Sequence, residues 1–509
     1  MIFFSNIKYL FFHRFHYIYH ALKKIRCLFD SHSSNEDNIV LLEKYSIPDY
    51  IISNAIFIDY LTRNHSRSAR VFIPYMDEFS LLEKSIFKSF NLKRFLYVKS
   101  NLFHSIKSIK ESFVLIFKSK NKDDIFNYKF QNISIGIDIY ESYIRNNNPT
   151  LKNKFLILGT AFKAFVTFFF WEKYLQNNNV KELLLSHDYH YKRNILAKLC
   201  YQNSIRVFLI TARSFHMCTG EYQLYKSKFE RYSKVFNSLG KLERKKAIEW
   251  AENRISRRIA GDVGIEMSYS TKSAFVRSAS YENSNFSKEK VNILITSHDF
   301  VDNPHAYSKL PYVDFYEWLE FLGEISLNSK HNWFIKMHPD ASKISIKTIE
   351  NFVKKYPSII LIDNNVSFHD LKQAGLDAVT TCYGSVGHEL PLLGIKVINA
   401  AFNPHVSFNF NEHFDNKYEY KRFIQNLSKE QCTSSNKNHH REICKFFYMH
   451  YKYYSKDDLV YPSFKDSLVS NNELSLKRYV YFINHVNRLE LKKIQSKMAN
   501  LYLDYIGNP

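Results

Sequence analysis

The segment AVTTCYGSVGHELPLLGIKVINA, residues 378–400, carries the clearest fold signal in the chain. Its apolar runs at Ala378–Thr381 and Lys396–Ala400 favour strands, because β-branched residues pack well on a pleated surface. Gly384 permits a tight turn after the first strand, and a helix is expected between that turn and the second strand. A strand, a helix and a strand in succession predict a parallel sheet.

The same alternation continues on the N-terminal side of this segment. Strands are predicted at Val291–Thr296, Trp333–Met337 and Ile359–Ile362, with helices around Tyr316–Leu327 and Ile346–Lys355. Residues 40–265 repeat the pattern, and the strands predicted there are Arg70–Pro74, Phe95–Lys99, Val114–Phe117, Ile133–Ile137, Leu183–Ser186 and Val207–Ile210. The predicted fold class is therefore α/β, with two doubly wound domains that face each other across a cleft.

Changes in composition divide the chain into five parts. They are an N-terminal segment (1–38), a first α/β domain (39–266), a Ser- and Asn-rich linker (267–290), a second α/β domain (291–430) and a C-terminal helical tail (431–509). The N-terminal segment is predicted to be a basic amphipathic helix, whose apolar positions are Ile7, Phe11, Phe15, Ile18, Leu22 and Ile25. Such a helix either docks on an anionic membrane face or packs on its own protein, and the sequence leaves both interpretations open.

Composition bounds the classes of function. Of 509 residues, 45% are hydrophobic, so the chain is not disordered as a whole. The 71 basic and 49 acidic residues give a net charge of +22, which favours anionic partners, but no nucleic-acid-binding motif accompanies it. Six cysteines without a C-x-x-C pair exclude a disulfide framework and a zinc ribbon. We expect a cytoplasmic protein without a signal peptide or a spanning helix.

The first candidate site follows the strand Trp333–Met337. Pro339 restricts His338 to extended backbone, which holds an imidazole at the end of the strand, with Lys336 nearby. A lysine and a histidine in this place can neutralise a phosphate; the alternative is a turn that contains a histidine by chance. No dinucleotide or P-loop glycine motif is present.

The second candidate site follows the strand Ala378–Thr381. Ser385 is predicted to cap the helix after Gly384, and the free amides together with the helix dipole would bind an anion. Glu389 lies one turn further on the same face, where its carboxylate can accept hydrogen bonds from ribose hydroxyls. The alternative is an ordinary helix start.

Two tetrapeptides nearly repeat, and each follows an apolar strand. They are Ser186-His187-Asp188-Tyr189 and Ser297-His298-Asp299-Phe300. Asp188 or His187 is the candidate general base that deprotonates an acceptor hydroxyl, and His298 and Asp299 are candidate substrate contacts in the second domain. The chain has no H-E-x-x-H motif and no Asp-x-Asp triplet, so we expect no catalytic metal and no cofactor.

Four landmarks in order resemble bacterial surface-polysaccharide biosynthesis proteins. They are Gly136–Arg145, the Ser-His-Asp-Tyr strand end with its helix through Lys198, Trp333–Pro339 and Gly384–Gly394. Over about residues 65–405 the chain resembles the capsule and lipopolysaccharide glycosyltransferases of the GT-B architecture, which have two Rossmann-like domains. It departs from the pattern at Glu141, where an aspartate is expected, and no paired glutamates eight residues apart follow Glu389.

The resemblance implies an activity and a set of partners. The second domain would hold a nucleotide-activated sugar, with His338 and Ser385 at phosphate and Glu389 near the ribose. The histidine–proline pair also resembles transferases that use CMP-linked acidic sugars. The acceptor would be a lipid-linked or growing polysaccharide, and the enzyme would be peripheral on the inner membrane face.

Two other functions fit the same residues. One is a polyol-phosphate transferase of the teichoic-acid type, and the other is a non-catalytic scaffold that binds membrane or polysaccharide.

Overall fold

The structure of the 509-residue chain is a computed structural model. The structure describes residues 20–29, 37–211, 215–218, 220, 223–262, 273–276, 285–305, 310–433, 438–453, 479 and 482–507. Most of the predicted linker and the apolar positions Ile7, Phe11, Phe15 and Ile18 of the predicted N-terminal helix lie outside the described residues. The described part of that helix, residues 20–28, is helical and packs Ile25 into the first domain.

The first domain is built on a six-stranded sheet in the order β3-β2-β1-β4-β5-β6. Its strands are β1 (Ile39–Glu43), β2 (Ser68–Ile73), β3 (Phe95–Tyr97), β4 (Val180–Leu185), β5 (Arg206–Ile210) and β6 (Phe215–Cys218). All neighbouring pairs are parallel except β5 and β6. The helices around it are α1 (20–28), α2 (Pro48–His65), α3 (Leu81–Ser89), α4 (Leu102–Lys118), α5 (Lys122–Phe126), α6 (Ile135–Ile144), a 3₁₀ turn (Lys154–Ile157), α7 (Leu158–Asn177) and α8 (Tyr191–Gln202).

The second domain repeats this arrangement with a parallel sheet in the order β12-β11-β10-β7-β8-β9. Its strands are β7 (Asn292–Thr296), β8 (Asn332–Lys336), β9 (Ile359–Ile362), β10 (Ala378–Thr381), β11 (Lys396–Asn399) and β12 (Glu412–His413). Its helices are α11 (Phe315–Leu327), α12 (Lys343–Lys355), α13 (Phe368–Ala374), α14 (Val386–Glu389), a 3₁₀ turn (Leu390–Leu393), α15 (Lys417–Asn426) and α16 (Lys429–Thr433). The predicted fold class, two doubly wound α/β domains, is confirmed.

Both sheets are covered by helices on both faces. Successive apolar side chains of the central strands point alternately to the two faces, so both faces need a cover. Ile39 and Leu41 of β1 belong to one buried cluster, while Val40 and Leu42 belong to another on the opposite face. In β7, Ile295 and Leu294 divide between two clusters in the same way. Because successive side chains of a strand point to opposite faces, a strand that is apolar throughout is stable only when both faces are buried.

The remaining helices pack onto the two domains in different places. Helices α9 (Gln223–Ser238) and α10 (Lys241–Ile259) pack with α17 (Asn438–Phe447) and with Phe408 and Phe410 of the second domain. A π-helical turn, Tyr448–Tyr453, continues α17. The last helices, α18 (482–485) and α19 (Arg488–Gly507), pack on the first domain instead, where Tyr502 lies 5.5 Å from Phe57 between ring centroids.

Two of the strands predicted in the first domain are wrong. Residues Val114–Phe117 lie in α4, and residues Ile133–Ile137 run into the start of α6. Both are short apolar runs, which periodicity alone cannot assign to strand or helix. The central strand β1 was missed, because its five residues stand beside a polar stretch.

One helical stretch among the described residues, Lys154–Asn177, is long and apolar enough by length and composition to cross a membrane. Half of its most apolar window is buried inside the protein. Phe165 and Phe168 of this stretch are fully buried in the core of the first domain.

The two domains meet along α6 and the loop that follows β7. Tyr140 donates a hydrogen bond to the buried Asp314, whose carboxylate also lies 3.2 Å from Lys122 Nζ. Glu141 and His305 form a second buried contact at 2.8 Å. These contacts hold the carboxyl ends of the two sheets toward the same cleft.

Candidate active site

A cavity of about 920 Å³ lies between the two domains. Each sheet reverses its strand order at its centre, between β1 and β4 in the first domain and between β7 and β10 in the second. Ligands of open α/β sheets bind beyond the carboxyl ends of the strands at such a reversal. The cavity is lined by residues that follow those strands in both domains, among them His187, Tyr189, His190, His298, Tyr383 and Gly384.

His187 is held by a short chain of hydrogen bonds on the first-domain side. Ser186 Oγ lies 2.5 Å from His187 Nδ1 and 3.3 Å from the carboxylate of Glu43, which is fully buried at the end of β1. When the hydroxyl donates to the carboxylate, Nδ1–H donates to the hydroxyl, and Nε2 keeps its lone pair. Burial lowers the pKa of His187 to about 2, so the ring is neutral at pH 7.

Asp188, the other predicted base, is not among the described residues that line the cavity. Burial raises the pKa of Tyr201 and of Cys218, and the Asp188 carboxylate raises both further. The charge of the Asp188 carboxylate therefore acts on Tyr201 and Cys218, neither of which lines the cavity. Of the two predicted bases, His187 is the one that the structure places in the cleft.

His190 sits in the cavity in an unusual backbone conformation. Its φ is 67°, a left-handed value that is uncommon for a residue with a Cβ atom. Its Nδ1 is buried and has no hydrogen-bond partner among the described residues. Strained residues with unpaired polar atoms are concentrated at functional sites, so His190 joins the candidate site.

A second cavity of about 330 Å³ opens beside the first and shares His298, Asp302, Tyr383 and Gly384 with it. It lies at the carboxyl ends of β7, β8 and β10. The predicted second-domain residues all line it: Lys336, His338, Pro339, Ser385, Glu389, His298, Asp299 and Gly384. The residues that the sequence predicted for the second domain therefore lie together around one cavity, and the structure adds what each side chain contacts.

His338 is oriented by the turn that Pro339 introduces. The backbone N–H of Asp340 donates to His338 Nδ1 at 3.1 Å. In the neutral ring the proton is then on Nε2, because a nitrogen that accepts a hydrogen bond carries no proton. His338 therefore presents an N–H donor.

Lys336 is buried, and its ammonium group is already engaged. Nζ donates to the carbonyl oxygens of Asp363 at 3.1 Å and Asn364 at 2.7 Å. Burial lowers the pKa of Lys336 to about 8. An ammonium group has three N–H donors, so one more hydrogen bond is open to it after the loop is held.

The second Ser-His-Asp sequence makes different contacts from the first. His298 Nε2 accepts the backbone N–H of Tyr383 at 3.2 Å, and burial lowers the pKa of its ring to about 3. The Asp299 carboxylate accepts hydrogen bonds from Ser342 Oγ at 2.7 Å and from Ser345 Oγ. Asp299 therefore fixes the start of α12.

The turn between β10 and α14 contains the predicted glycine turn but lacks the predicted serine cap. Gly384 has a φ of 153°, which a residue with a side chain rarely adopts. Ser385 is helical and makes no side-chain cap, and α14 is a single turn that continues as 3₁₀ helix. The predicted Ser385 cap is therefore wrong, and a helix this short has little dipole.

Glu389 is paired with a residue that the sequence analysis missed. Arg258, at the end of α10, donates from Nε to Glu389 Oε1 at 2.7 Å, and both side chains are buried in the small cavity. The guanidinium carbon also lies 5.6 Å from the centroid of Phe275. No sequence motif marks Arg258 or Glu43, because the partner of each, Glu389 and Ser186 respectively, lies more than a hundred residues away in the chain.

The chain was compared with known proteins. No protein-family profile matches it, and no curated protein matches it. Similar solved structures include the UDP-GlcNAc 2-epimerase from Neisseria meningitidis bound to UDP-GlcNAc, at 12% identity over 78% of this chain and 96% of that chain, with a TM-score of 0.20.

Two further similar structures are a polymerase and a glycotransferase by their names. They are the wall teichoic acid polymerase TagF, at 11% identity over 97% of both chains with a TM-score of 0.20, and the glycotransferase of kitacinnamycin, at 11% identity over 93% of this chain and 100% of that chain with a TM-score of 0.17. At these TM-scores the likenesses carry no argument about function.

Proposed function

We propose that this protein is a glycosyltransferase that moves a sugar from a nucleotide-activated donor to a hydroxyl of a growing surface polysaccharide. One observation carries the proposal: the imidazole of His187 from one sheet and the His298–Tyr383–Gly384 edge of the other line a single cavity. A cavity of about 920 Å³ falls within the usual range for small-molecule sites. The acceptor belongs on the first-domain side and the donor on the second.

The donor phosphates are assigned to the smaller cavity. His338 Nε2–H donates to the leaving phosphate, and the third N–H of Lys336 adds a further donor. Two of the acids that line this cavity have a cationic partner, since Glu389 is paired with Arg258 and Asp302 with Arg145, which offsets part of the repulsion of an anion. The second oxygen of Glu389 is assigned to a ribose hydroxyl.

The acceptor hydroxyl is assigned to His187. Its oxygen forms the new bond to the anomeric carbon, the bond from that carbon to the donor phosphate breaks, and the hydroxyl proton passes to His187 Nε2. The low pKa of the free ring makes it a weak base. A bound anionic donor in the adjoining cavity would raise that pKa, so proton acceptance would be coupled to donor binding.

The residues above supply positioning and charge stabilisation without a bound metal or cofactor, and the donor is the only nucleotide the proposal requires. CMP-linked sugars are the first donors to test, because of the His338–Pro339 pair. The proposed location is the cytoplasmic face of the inner membrane, which the net charge of +22 supports. Cell fractionation tests that location.

The experiment is a donor panel with purified protein. CMP-, UDP- and GDP-linked sugars and a CDP-polyol are each incubated with a glycan acceptor, and nucleotide release and product mass are measured. We expect transfer from one nucleotide sugar and a loss of at least about a hundredfold in His338→Ala and His187→Ala, with unchanged melting temperatures. His439→Ala, outside both cavities, is the matched control and retains full activity.

Other outcomes contradict the proposal in distinguishable ways. Full activity of His338→Ala removes the donor-site assignment. Consumption of the CDP-polyol alone identifies a polyol-phosphate transferase, and no thermal shift with any nucleotide identifies a scaffold. A change of the donor sugar without any acceptor identifies an isomerase in place of a transferase.

A further inference from the structure

Helix α4 on the first domain is amphipathic in the reverse of the usual sense. His104, Ser108 and Ser112 are buried against the domain, together with Leu115 and Ile116. The outward residues are large and apolar: Leu102 (79% exposed), Phe103 (71%), Ile106, Ile109, Phe113 and Phe117 (70%). At 3.6 residues per turn they occupy an arc of about 120° on one side of the helix. A helix that only packed on its own domain would bury these side chains.

The apolar surface extends beyond α4. Phe155 and Leu156, in the 3₁₀ turn before α7, are also exposed, and the Phe155 ring lies 6.3 Å from that of Phe117. Lys154 Nζ donates to the carbonyl of Ser119 at 2.7 Å and so ties this turn to the end of α4. We call the six α4 residues with Phe155 and Leu156 the α4 surface. Contiguous apolar patches of this kind mark interaction sites.

Charge around the α4 surface selects the partner. Lys110, Lys118 and Lys120 are exposed, and Lys107 stands at the edge with Nζ 4.2 Å from the ring centroid of Phe169. Glu111 is the only acidic residue of α4. Apolar side chains with lysines beside them are the features by which helices lie in the interface of anionic bilayers. In a symmetric dimer the same lysines would face each other and repel.

We propose that the α4 surface docks on an anionic lipid bilayer. The aromatic and aliphatic side chains enter the headgroup region, and the lysines contact acidic lipids. This docking does not depend on the reaction proposed above. It differs from the membrane contact that the sequence left open for the N-terminal segment, because the described part of that helix buries Ile25 in the first domain.

The position of the α4 surface also relates it to the cleft. Thr160 and Lys163, near the start of α7, line the larger cavity, and Leu156 precedes Thr160 by four residues. With a rise of about 2.0 Å per residue in the 3₁₀ turn and about 1.5 Å in α7, that separation is about 7 Å along the axis. A bilayer on the α4 surface therefore lies near one edge of the cleft, where a lipid-linked acceptor would enter from the membrane.

Vesicle co-sedimentation of the full chain tests the proposal. The vesicles are phosphatidylcholine alone or mixed with phosphatidylglycerol. We expect binding at least about tenfold tighter to the anionic vesicles, a loss of about tenfold or more in Ile106→Asn/Phe113→Asn/Phe117→Asn, and a loss of the anionic preference in Lys110→Glu/Lys118→Glu. The control Leu242→Asn/Leu489→Asn changes two equally exposed leucines elsewhere (67% and 63%) and leaves binding unchanged.

Two results overturn the proposal. One is vesicle binding of the triple variant equal to that of the unmodified chain. The other is a change from dimer to monomer in the triple variant with no effect on vesicles, which identifies a second copy as the occupant. Transfer to a water-soluble acceptor separates docking from catalysis: the triple variant retains it, and its absence in the unmodified chain contradicts the proposed function while docking stands.

Discussion

The buried ion pair between Arg258 and Glu389 gives the sharpest test of the candidate site. The two side chains are 7% and 2% exposed, and Nε and Oε1 are 2.7 Å apart. Removing one partner of such a pair leaves an uncompensated buried charge, at a cost of about 3–5 kcal/mol. We therefore expect Glu389→Ala to lower the free energy of unfolding by about 3–5 kcal/mol.

Two further variants separate charge from packing. Glu389→Gln keeps an oxygen acceptor for Nε but leaves the Arg258 charge uncompensated, so we expect a cost between that of the double variant below and that of Glu389→Ala. Arg258→Met/Glu389→Leu removes both charges and retains similar volume, and replacements of this kind are often neutral. The double variant should therefore be more stable than Glu389→Ala.

The assay is native-state hydrogen exchange of peptides that cover residues 378–400, because opening of β10 and α14 is what the pair opposes. Glu490→Ala, which breaks the exposed pair with Lys493, is the control and should cost less than about 1 kcal/mol. A cost below about 1 kcal/mol for Glu389→Ala would refute the reasoning, since the pair could not then be buried. Nucleotide affinity of Glu389→Gln, measured separately by calorimetry, tests the ribose assignment.

Three more outcomes are expected. Gly136→Ala should cost more than about 3 kcal/mol, because a Cβ there would lie 2.0 Å from a backbone carbonyl oxygen, whereas Gly159→Ala, with open space, should be neutral or stabilising in urea unfolding. Burial holds the pKa of His405 well below its usual range, so stability should fall as pH drops below 6.5, where the unfolded chain alone gains the proton. His405→Gln should reduce that slope by up to about 1.4 kcal/mol per pH unit, and an unchanged slope would contradict this. Ser186→Ala should lower kcat about tenfold with KM unchanged, because His187 loses its orienting hydroxyl; a change in KM alone would contradict that role.

The sequence predicted the second domain more closely than the first, for a physical reason. Ile359–Ile362 and Ala378–Thr381 are strands at the predicted bounds. Both are short runs rich in β-branched residues between turn residues, and β-branched side chains favour strands. Val114–Phe117 failed because its apolar residues divide between the two sides of α4: Leu115 and Ile116 are buried against the domain, whereas Phe117 faces outward. A pattern reports that residues are apolar, but whether they face the core depends on packing partners that are distant in sequence.

The two Ser-His-Asp sequences show where sequence reasoning about the site ends. Each follows a strand at the centre of its sheet, so each was correctly expected at a carboxyl edge. Their roles differ because their partners come from other elements. His187 forms a hydrogen bond with Ser186, whose hydroxyl also contacts Glu43 of β1. His298 instead accepts a hydrogen bond from a backbone N–H in the turn after β10. The location of a functional side chain follows from its own strand, but its protonation state and its role follow from strands that the fold places beside it.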